Sequence, residues 1–486
     1  MSFTLPAPHS GHSVPTGLFI GGAWRAAKKR LPVDNPASGE VLTDIADGDE
    51  EDARAAVDAA HKAGPGWAAT APRKRAEILR ACYERMVAGA DWLSFLISLE
   101  NGKTLADAKS EILYAADFFR WYSEEAVRVL GDTAIAPGGT NRILVEYQPI
   151  GVSLLITPWN FPAAMATRKL GPALAAGCSV ILKPASETPL TAFAIAAIMH
   201  DAGVPPGVVN IVTTSRAGDI ARAILHDSRV RKLSFTGSTA VGRGLLREAA
   251  DQVISCAMEL GGNAPFIVCA DADLPDALDG AMLAKMRNGG EACTAANRFY
   301  IQRGVYREFT TGLVERMSKL KLGDGTDPQT TLGPMINEKT VNKIAGLVDD
   351  AVKKGGRLLL GGTRLNQPGY FYPPTVIADV PDNARLLKQE IFGPVAALQV
   401  FDSDEEAIAK ANDTEYGLTA YLYTGDLKRG LAISEKLEAG MVGLNRGLVS
   451  DPAAPFGGVK QSGLGREGAH HGLLEFTECK YIAVNW

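Results

Sequence analysis

The stretch Asn288-Gly-Gly-Glu-Ala-Cys293-Thr-Ala-Ala-Asn-Arg298 surrounds one cysteine with glycines and small side chains, which leaves room for a substrate to reach its sulfur. A thiol becomes a nucleophile when its surroundings lower a pKa of about 8.5 or supply a base; by residue type alone, a cysteine in a large protein is most often a small buried hydrophobe. The other cysteines (82, 178, 256, 269, 479) lie far apart with no Cys-x-x-Cys pair, so neither a disulfide framework nor a structural zinc site is expected. A cysteine hydrolase would need a histidine base. The seven histidines (9, 12, 61, 200, 226, 470, 471) form no nucleophile-base pattern, and His470-His471 reads as a solvated helix end.

A second chemical signal lies upstream. Leu233-Ser-Phe235 runs as a strand into Thr236-Gly-Ser-Thr-Ala-Val-Gly242, and a helix follows. Glycine at the turn lets backbone approach a phosphate, and the helix start offers unpaired N–H groups. Arg243-Gly244 after Gly242 rules out a P-loop, and the spacing is not Gly-x-Gly-x-x-Gly, so a dinucleotide would sit differently from the common mode. Lys183 stands at the end of another strand, where open sheets bind ligands.

The elements that must position these groups alternate. Helical patterns cover 50–63, 72–99 and 104–130, and an exposed strand covers 142–148. From 151 onward strands at 152–156, 179–182, 208–212 and 232–235 alternate with helices at 162–176, 189–201, 217–226 and 238–250, which predicts a buried parallel sheet. A second alternation has strands at 266–268, 299–302, 395–400 and 420–423, with helices at 274–286, 306–320, 338–354, 404–411 and 428–437. The tail, 475–484, reads as a terminal strand without a local partner, one that pairs with something distant or with another subunit.

With 486 residues the chain amounts to about three units of ordinary size. The balance of 50 Lys+Arg against 55 Asp+Glu, interspersed, gives no nucleic-acid surface or basic membrane patch. The longest apolar stretches fall far short of the roughly 20 residues that span a bilayer. Residues 1–17, rich in Pro, Ser, His and Gly, lack the pattern of a signal peptide and predict a ragged, partly disordered start on a cytoplasmic protein.

Seven motifs then occur in one order: Pro158-Trp-Asn-Phe-Pro162, Lys183-Pro-Ala-Ser-Glu187, Phe235-Thr-Gly-Ser-Thr239, Glu259-Leu-Gly-Gly-Asn263, Cys293, Glu390-Ile-Phe-Gly-Pro394 and Pro455-Phe-Gly-Gly458. Together they resemble the NAD(P)-dependent aldehyde dehydrogenases over almost the whole length. The resemblance implies an α/β fold with two doubly wound parallel-sheet domains and a small β oligomerisation arm. Residues 1–125 and 149–258 would bind the dinucleotide, 259–455 would form the catalytic domain, and 126–148 with 456–486 the arm and tail. A homodimer or homotetramer is expected.

The resemblance also implies roles. Cys293 would attack the aldehyde, Asn160 and the Cys293 N–H would hold the oxyanion, Glu259 would activate water, and Lys169 would join them in catalysis. Thr157, Trp159, Lys183, Ser186, Gly237, Ser238, Glu390 and Phe392 would bind NAD or NADP. Many NAD-preferring relatives carry glutamate at position 186; Ser186 would tolerate a 2′-phosphate, so NADP is expected to be accepted. Three departures stand out: Glu291 where glutamine is usual, which could raise the thiol pKa or relay protons; Ala295, which removes a second cysteine found in some relatives; and Thr213-Thr214-Ser215 in place of a Thr-Gly-Ser turn.

Thr167-Arg-Lys169, Met286-Arg-Asn288 and Gly447-Leu-Val-Ser450 are similar to succinate-semialdehyde dehydrogenases. Arg168, Arg287 and Ser450 converging on one pocket would suit a carboxylate tail. Succinate semialdehyde is therefore the expected substrate, followed by glutarate semialdehyde or another acid-tailed aldehyde. The competing readings are the cysteine hydrolase and an inactive structural protein on the same fold.

Overall fold

The computed structural model describes residues 2–485. Its largest sheet has eight strands in the order Gly463–Leu464, Ser255–Glu259, Val230–Thr236, Val152–Ile156, Val180–Lys183, Val209–Ile211, Leu18–Ile20 and Ala23–Arg25. The five strands from Ser255–Glu259 to Val209–Ile211 run parallel, and antiparallel strands close both edges. After Val152–Ile156 the chain builds outward on one side, then returns to lay Val230–Thr236 on the other. Such a switch point opens a crevice beyond the carboxyl ends of the strands. Register brings those ends level: Lys183 and Phe235 both pair with Ile156, and Thr236 pairs with Glu259.

A seven-stranded sheet runs Arg357–Leu360, Thr375–Ala378, Val395–Phe401, Ala296–Gln302, Ala264–Val268, Thr419–Tyr423 and Met441–Leu444, parallel except at its first strand. The third sheet is antiparallel: Thr477–Val484 pairs with Arg142–Pro149 along its whole length, and that strand pairs with Asp132–Ile135. The tail thus finds its distant partner within its own chain. Among the described residues no helix is long and apolar enough to cross a membrane.

Two helices do most to position the site. Pro162–Ala176 starts on a proline, is buried on every side and stops at Gly177, whose φ of 101° a side chain would resist. Leu274–Met286 is capped by the Asp273 side chain on the Asp276 N–H, a cap worth about 1 kcal/mol. Past Met286 the backbone turns left-handed at Asn288 (φ 53°) and Gly289 (φ 60°), and this ends the helix and throws residues 291–295 across the mouth of the first sheet.

Several expectations need correcting. The helix expected over 72–99 is two, Pro72–Ala88 and Ala90–Asn101, because Gly89 donates to the Arg85 carbonyl and accepts from the Leu93 N–H, closing one helix and opening the next. The first helix runs past 63 to Ala68 in spite of Pro65, held by buried Trp67, whose indole N–H donates to the Leu174 carbonyl. The start is not ragged: Ser2–Thr4 pairs with Ser13–Pro15, Leu5 and Val14 are buried, and His12 stacks on Trp92 at 4.9 Å. Of the expected solvated helix end His470-His471, His471 is exposed, while the half-exposed His470 lies with its Nδ1 2.6 Å from the buried Glu125 carboxylate.

Candidate active site

Cys293 lies in the turn before strand Ala296–Gln302, with its carbonyl packed on Gly262. A Cβ on Gly262 would sit 2.3 Å from that oxygen, so the second glycine after Glu259 is what allows the two motifs to touch. Burial pushes the Cys293 thiol up to about 12; Arg168 pulls it down, Glu259 and Glu390 push it further up, and Arg287 pulls it down again. By accessible surface the residue is only half-buried, and Arg168 and Arg287 are the neighbours whose charge favours the thiolate.

Glu259 ends strand Ser255–Glu259 and is 3% exposed, and neither carboxyl oxygen has a hydrogen-bond partner among the described residues. Burial first, and the charge of Glu467 second, raise its pKa well above the usual carboxylate range against the pull of Lys169, Arg168 and Arg466. Lys169 does not face the thiol directly. Its Nζ donates to Glu467 Oε1 at 2.5 Å and to Ser234 Oγ at 2.9 Å, and its charge bears on Glu259 both directly and through the position it gives Glu467. Asn160 gives one side-chain N–H to the Glu291 carbonyl at 2.9 Å, which leaves the second for an oxyanion.

Arg168 projects from helix Pro162–Ala176 and is 2% exposed. Its guanidinium lies 4.0 Å from the Phe456 ring centre, Nη2 donates to the Tyr114 hydroxyl at 2.5 Å, and Nη1 is 3.7 Å from Glu467 Oε2. Nε and Nη1 have no hydrogen-bond partner among the described residues. Arg287 stacks over Phe161 at 4.8 Å and, like Arg168, is close enough to act on the thiol. Ser450 is half-buried in the loop after Met441–Leu444, and no hydrogen bond ties its hydroxyl to either arginine.

Four of the residues expected at a dinucleotide, Thr157, Lys183, Gly237 and Ser238, sit at or just past the strand ends beside the switch point. Thr157 and Lys183 sit at adjacent strand ends, where the Thr157 N–H donates to the Lys183 carbonyl at 3.2 Å. Ser238 precedes helix Thr239–Ala250 with its hydroxyl unused as a cap, and Gly237 donates to the Glu259 carbonyl, so free donors at this helix start fit a phosphate. Trp159 meets Phe392 edge-on at 5.3 Å, and Phe392 is held at a φ of 57°. Glu390 accepts from the Gly262 N–H at 3.0 Å, which places a carboxylate suited to ribose hydroxyls on the glycine pair that backs Cys293. Ser186 turns its hydroxyl to Glu187 at 3.3 Å, while Lys183 Nζ rests on the Pro184 carbonyl.

Glu291 differs from expectation. Its carboxyl accepts from the Ile336 N–H at 3.2 Å, and it is not among the groups that shift the Cys293 thiol. At the Thr213-Thr214-Ser215 turn, hydroxyls bond the Ala46 and Gly48 carbonyls and Ser215 bonds Asp47, an arrangement that a glycine at position 214 would lack. Four neighbours of the site escaped sequence reasoning: Lys103, Glu111, Tyr114 and Glu467. The polar break Glu100-Asn-Gly-Lys-Thr104 between two helical patterns was a signal for the first; Glu467 gave none, because it acts 298 positions from Lys169.

Residues 24–482 match the aldehyde dehydrogenase family. A succinate-semialdehyde dehydrogenase of Paenarthrobacter nicotinovorans is 53% identical over 444 residues, covering 91% of this chain and 99% of that protein. A glutarate-semialdehyde dehydrogenase of Pseudomonas putida is 48% identical over 469 residues, covering 96% and 97%. The crystal structure of an NADP-dependent enzyme of Escherichia coli superposes with a TM-score of 0.96 at 48% identity, covering 97% of this chain and 98% of that one. The chain belongs to the aldehyde dehydrogenase family. Within it, the fold and crevice are those of an NAD(P)-dependent oxidoreductase acting on aldehydes.

Proposed function

We propose that this protein oxidises succinate semialdehyde to succinate, with Cys293 as nucleophile and NAD or NADP as oxidant. The observation that carries the substrate is Arg168, a buried guanidinium with two unused donor nitrogens, near enough to Cys293 for its charge to lower the thiol pKa. A buried charge with unmet donors is costly, and a carboxylate a few bonds from the reacting carbon would relieve it. The names of the similar proteins support the same class of substrate, and the glutarate-semialdehyde relative keeps one more methylene in view.

Deprotonated Cys293 Sγ bonds to the aldehyde carbon, and the carbonyl oxygen becomes an alkoxide held by the free Asn160 N–H and the Cys293 main-chain N–H. NAD(P), held by groups such as Lys183, Ser238 and Glu390, would accept hydride from that carbon, and its loss would leave a thioester on Cys293. Glu259 takes a proton from water, the hydroxide adds to the acyl carbon, and the C–S bond breaks to give the carboxylic acid and the Cys293 thiolate, the acid's proton then passing to the sulfur or to solvent. Burial and the neighbouring Glu467, which is bonded to Lys169, raise the Glu259 pKa and make it basic enough for that step. The three-stranded sheet, with Ile135 and Tyr481 more than half exposed, serves as an inter-subunit arm of a homodimer or homotetramer.

Arg168→Ala is expected to raise KM for succinate semialdehyde by at least about thirtyfold, from the loss of a buried charge partner, and KM for propanal only slightly. Steady-state kinetics on both aldehydes check this, with Arg168→Gln as the volume-keeping control. Equal effects on the two substrates would remove the tail assignment and leave the thiol chemistry standing.

For the cofactor, turnover with NADP is expected to be efficient. Ser186→Glu should lower kcat/KM for NADP by at least about tenfold, by setting a second carboxylate beside Glu187, and leave NAD nearly untouched. Parallel titrations of the two cofactors read this out; a wild type turning over with NAD alone would reject it.

A further inference from the structure

Glu291 is buried two residues before the nucleophile and bonds in three directions. Its main-chain carbonyl accepts from Asn160 Nδ2 at 2.9 Å and from Asn288 Nδ2 at 3.0 Å. Its main-chain N–H donates to the Asn288 carbonyl at 3.0 Å. Its side-chain Oε1 accepts from the Ile336 N–H at 3.2 Å, across to the segment leading into helix Glu338–Lys353. Among the described residues, the only side-chain hydrogen bond between the nucleophile turn and that segment is thus borne by the residue whose carbonyl sets the Asn160 amide. We propose that Glu291 is a positioning residue for the oxyanion donor Asn160, acting by tying the nucleophile turn to residues 333–336.

The surroundings favour the neutral form. Burial pushes the Glu291 carboxyl up to about 8 against the pull of the Ile336 N–H and of Lys103. Lys103 is the one cation facing it from the loop before helix Leu105–Glu125, and its ammonium is already engaged by Glu111 Oε2 and the Asn160 carbonyl, each at 2.6 Å. Helix Leu105–Glu125 adds Asp107, which accepts from the Asn288 N–H at 3.1 Å, as well as Glu111. Arg287, on the turn itself, is drawn off over Phe161, and Gly333-Pro-Met-Ile336 contributes no titratable side chain. An ionised Glu291 would therefore put an uncompensated anion behind the hole that must stabilise a developing alkoxide, and acylation should slow as pH rises through about 8.

This inference rests on the Cys293 and Asn160 roles but not on the substrate's tail, so the acylation burst is measured with propanal. From about pH 6 to pH 10 the wild-type burst rate should bend downward near the Glu291 ionisation, and Glu291→Gln, which cannot ionise, should lose that bend. Glu291→Ala should slow the burst by about tenfold or more at every pH by freeing the turn. Iodoacetamide alkylation of Cys293 in the same variants, changing less than the burst, would separate misplacement of Asn160 from damage to the thiol. Coincident wild-type and Glu291→Gln profiles would overturn the proposal, and so would a wild-type burst in Glu291→Ala. If Glu291→Ala fails to fold, the Glu291→Gln profile still decides.

Discussion

Cys293→Ala should lower aldehyde oxidation by at least about 10⁴-fold, the scale of losing a covalent nucleophile, while NAD(P) still binds with near-native affinity. The split follows from where the sulfur sits. Its turn touches Gly262 through the backbone carbonyl, and the expected cofactor donors Ser238, Lys183 and Thr157 belong to other elements, so removing Sγ leaves the crevice intact. Fluorescence titration with cofactor beside an activity assay checks both halves. Residual activity within about tenfold of wild type would move the chemistry to another group.

Glu259→Gln should separate the two half-reactions. The variant is expected to give a burst of one NAD(P)H per active site and then a steady rate lower by about 10² to 10⁴-fold, the usual share of a general base. In the wild type the raised Glu259 pKa fixes the sign of the pH dependence. The group is neutral and inactive as a base below its folded pKa, so deacylation rises with pH as the carboxyl ionises above the ordinary carboxylate range. Stopped-flow absorbance at 340 nm, a wavelength of the reduced nicotinamide, reads burst and steady rate in one trace. Loss of the burst itself would assign Glu259 to thiol activation rather than to hydrolysis.

The same bonds explain what the sequence made legible. Helix Leu274–Met286 was read end to end because Asp273 and Met286 bound a clean apolar pattern, and Glu259 was placed at a strand end by the glycines that follow it. Local chemistry also located the turn before helix Thr239–Ala250. Strands Val41–Asp47, Thr375–Ala378 and Met441–Leu444 were missed because they are short or set among polar residues, even though their partners lie close in sequence. The extent of helix Glu50–Ala68 was hidden by a longer reach: Pro65 signals an end, and the distant Leu174 carbonyl holds Trp67 in place.

The site divides along that line. Cys293 stands out locally by its small neighbours, whereas Asn160 and Glu259 take their roles only through the family resemblance of their motifs. Their supports could not be singled out, since Lys103 reaches Asn160 over 57 positions and Lys169 reaches Glu467 over 298. The Lys103–Glu111 pair is fully buried, and losing either partner would cost about 3 to 5 kcal/mol by stranding the other. Glu111 also accepts from the Ala163 and Ala164 N–H groups at the start of the helix that carries Arg168. One ion pair therefore holds both Asn160, the proposed oxyanion donor, and the start of the helix that carries Arg168, proposed to receive the substrate's tail.

The most direct test of the thioester route is to mix Glu259→Gln with succinate semialdehyde and NAD(P), quench in acid during the slow phase, and measure the mass of the intact protein and its peptides. The account predicts one succinyl group per chain, on the peptide containing Cys293. An unmodified chain under conditions that produce a full burst, or an acyl group on any other residue, would contradict it.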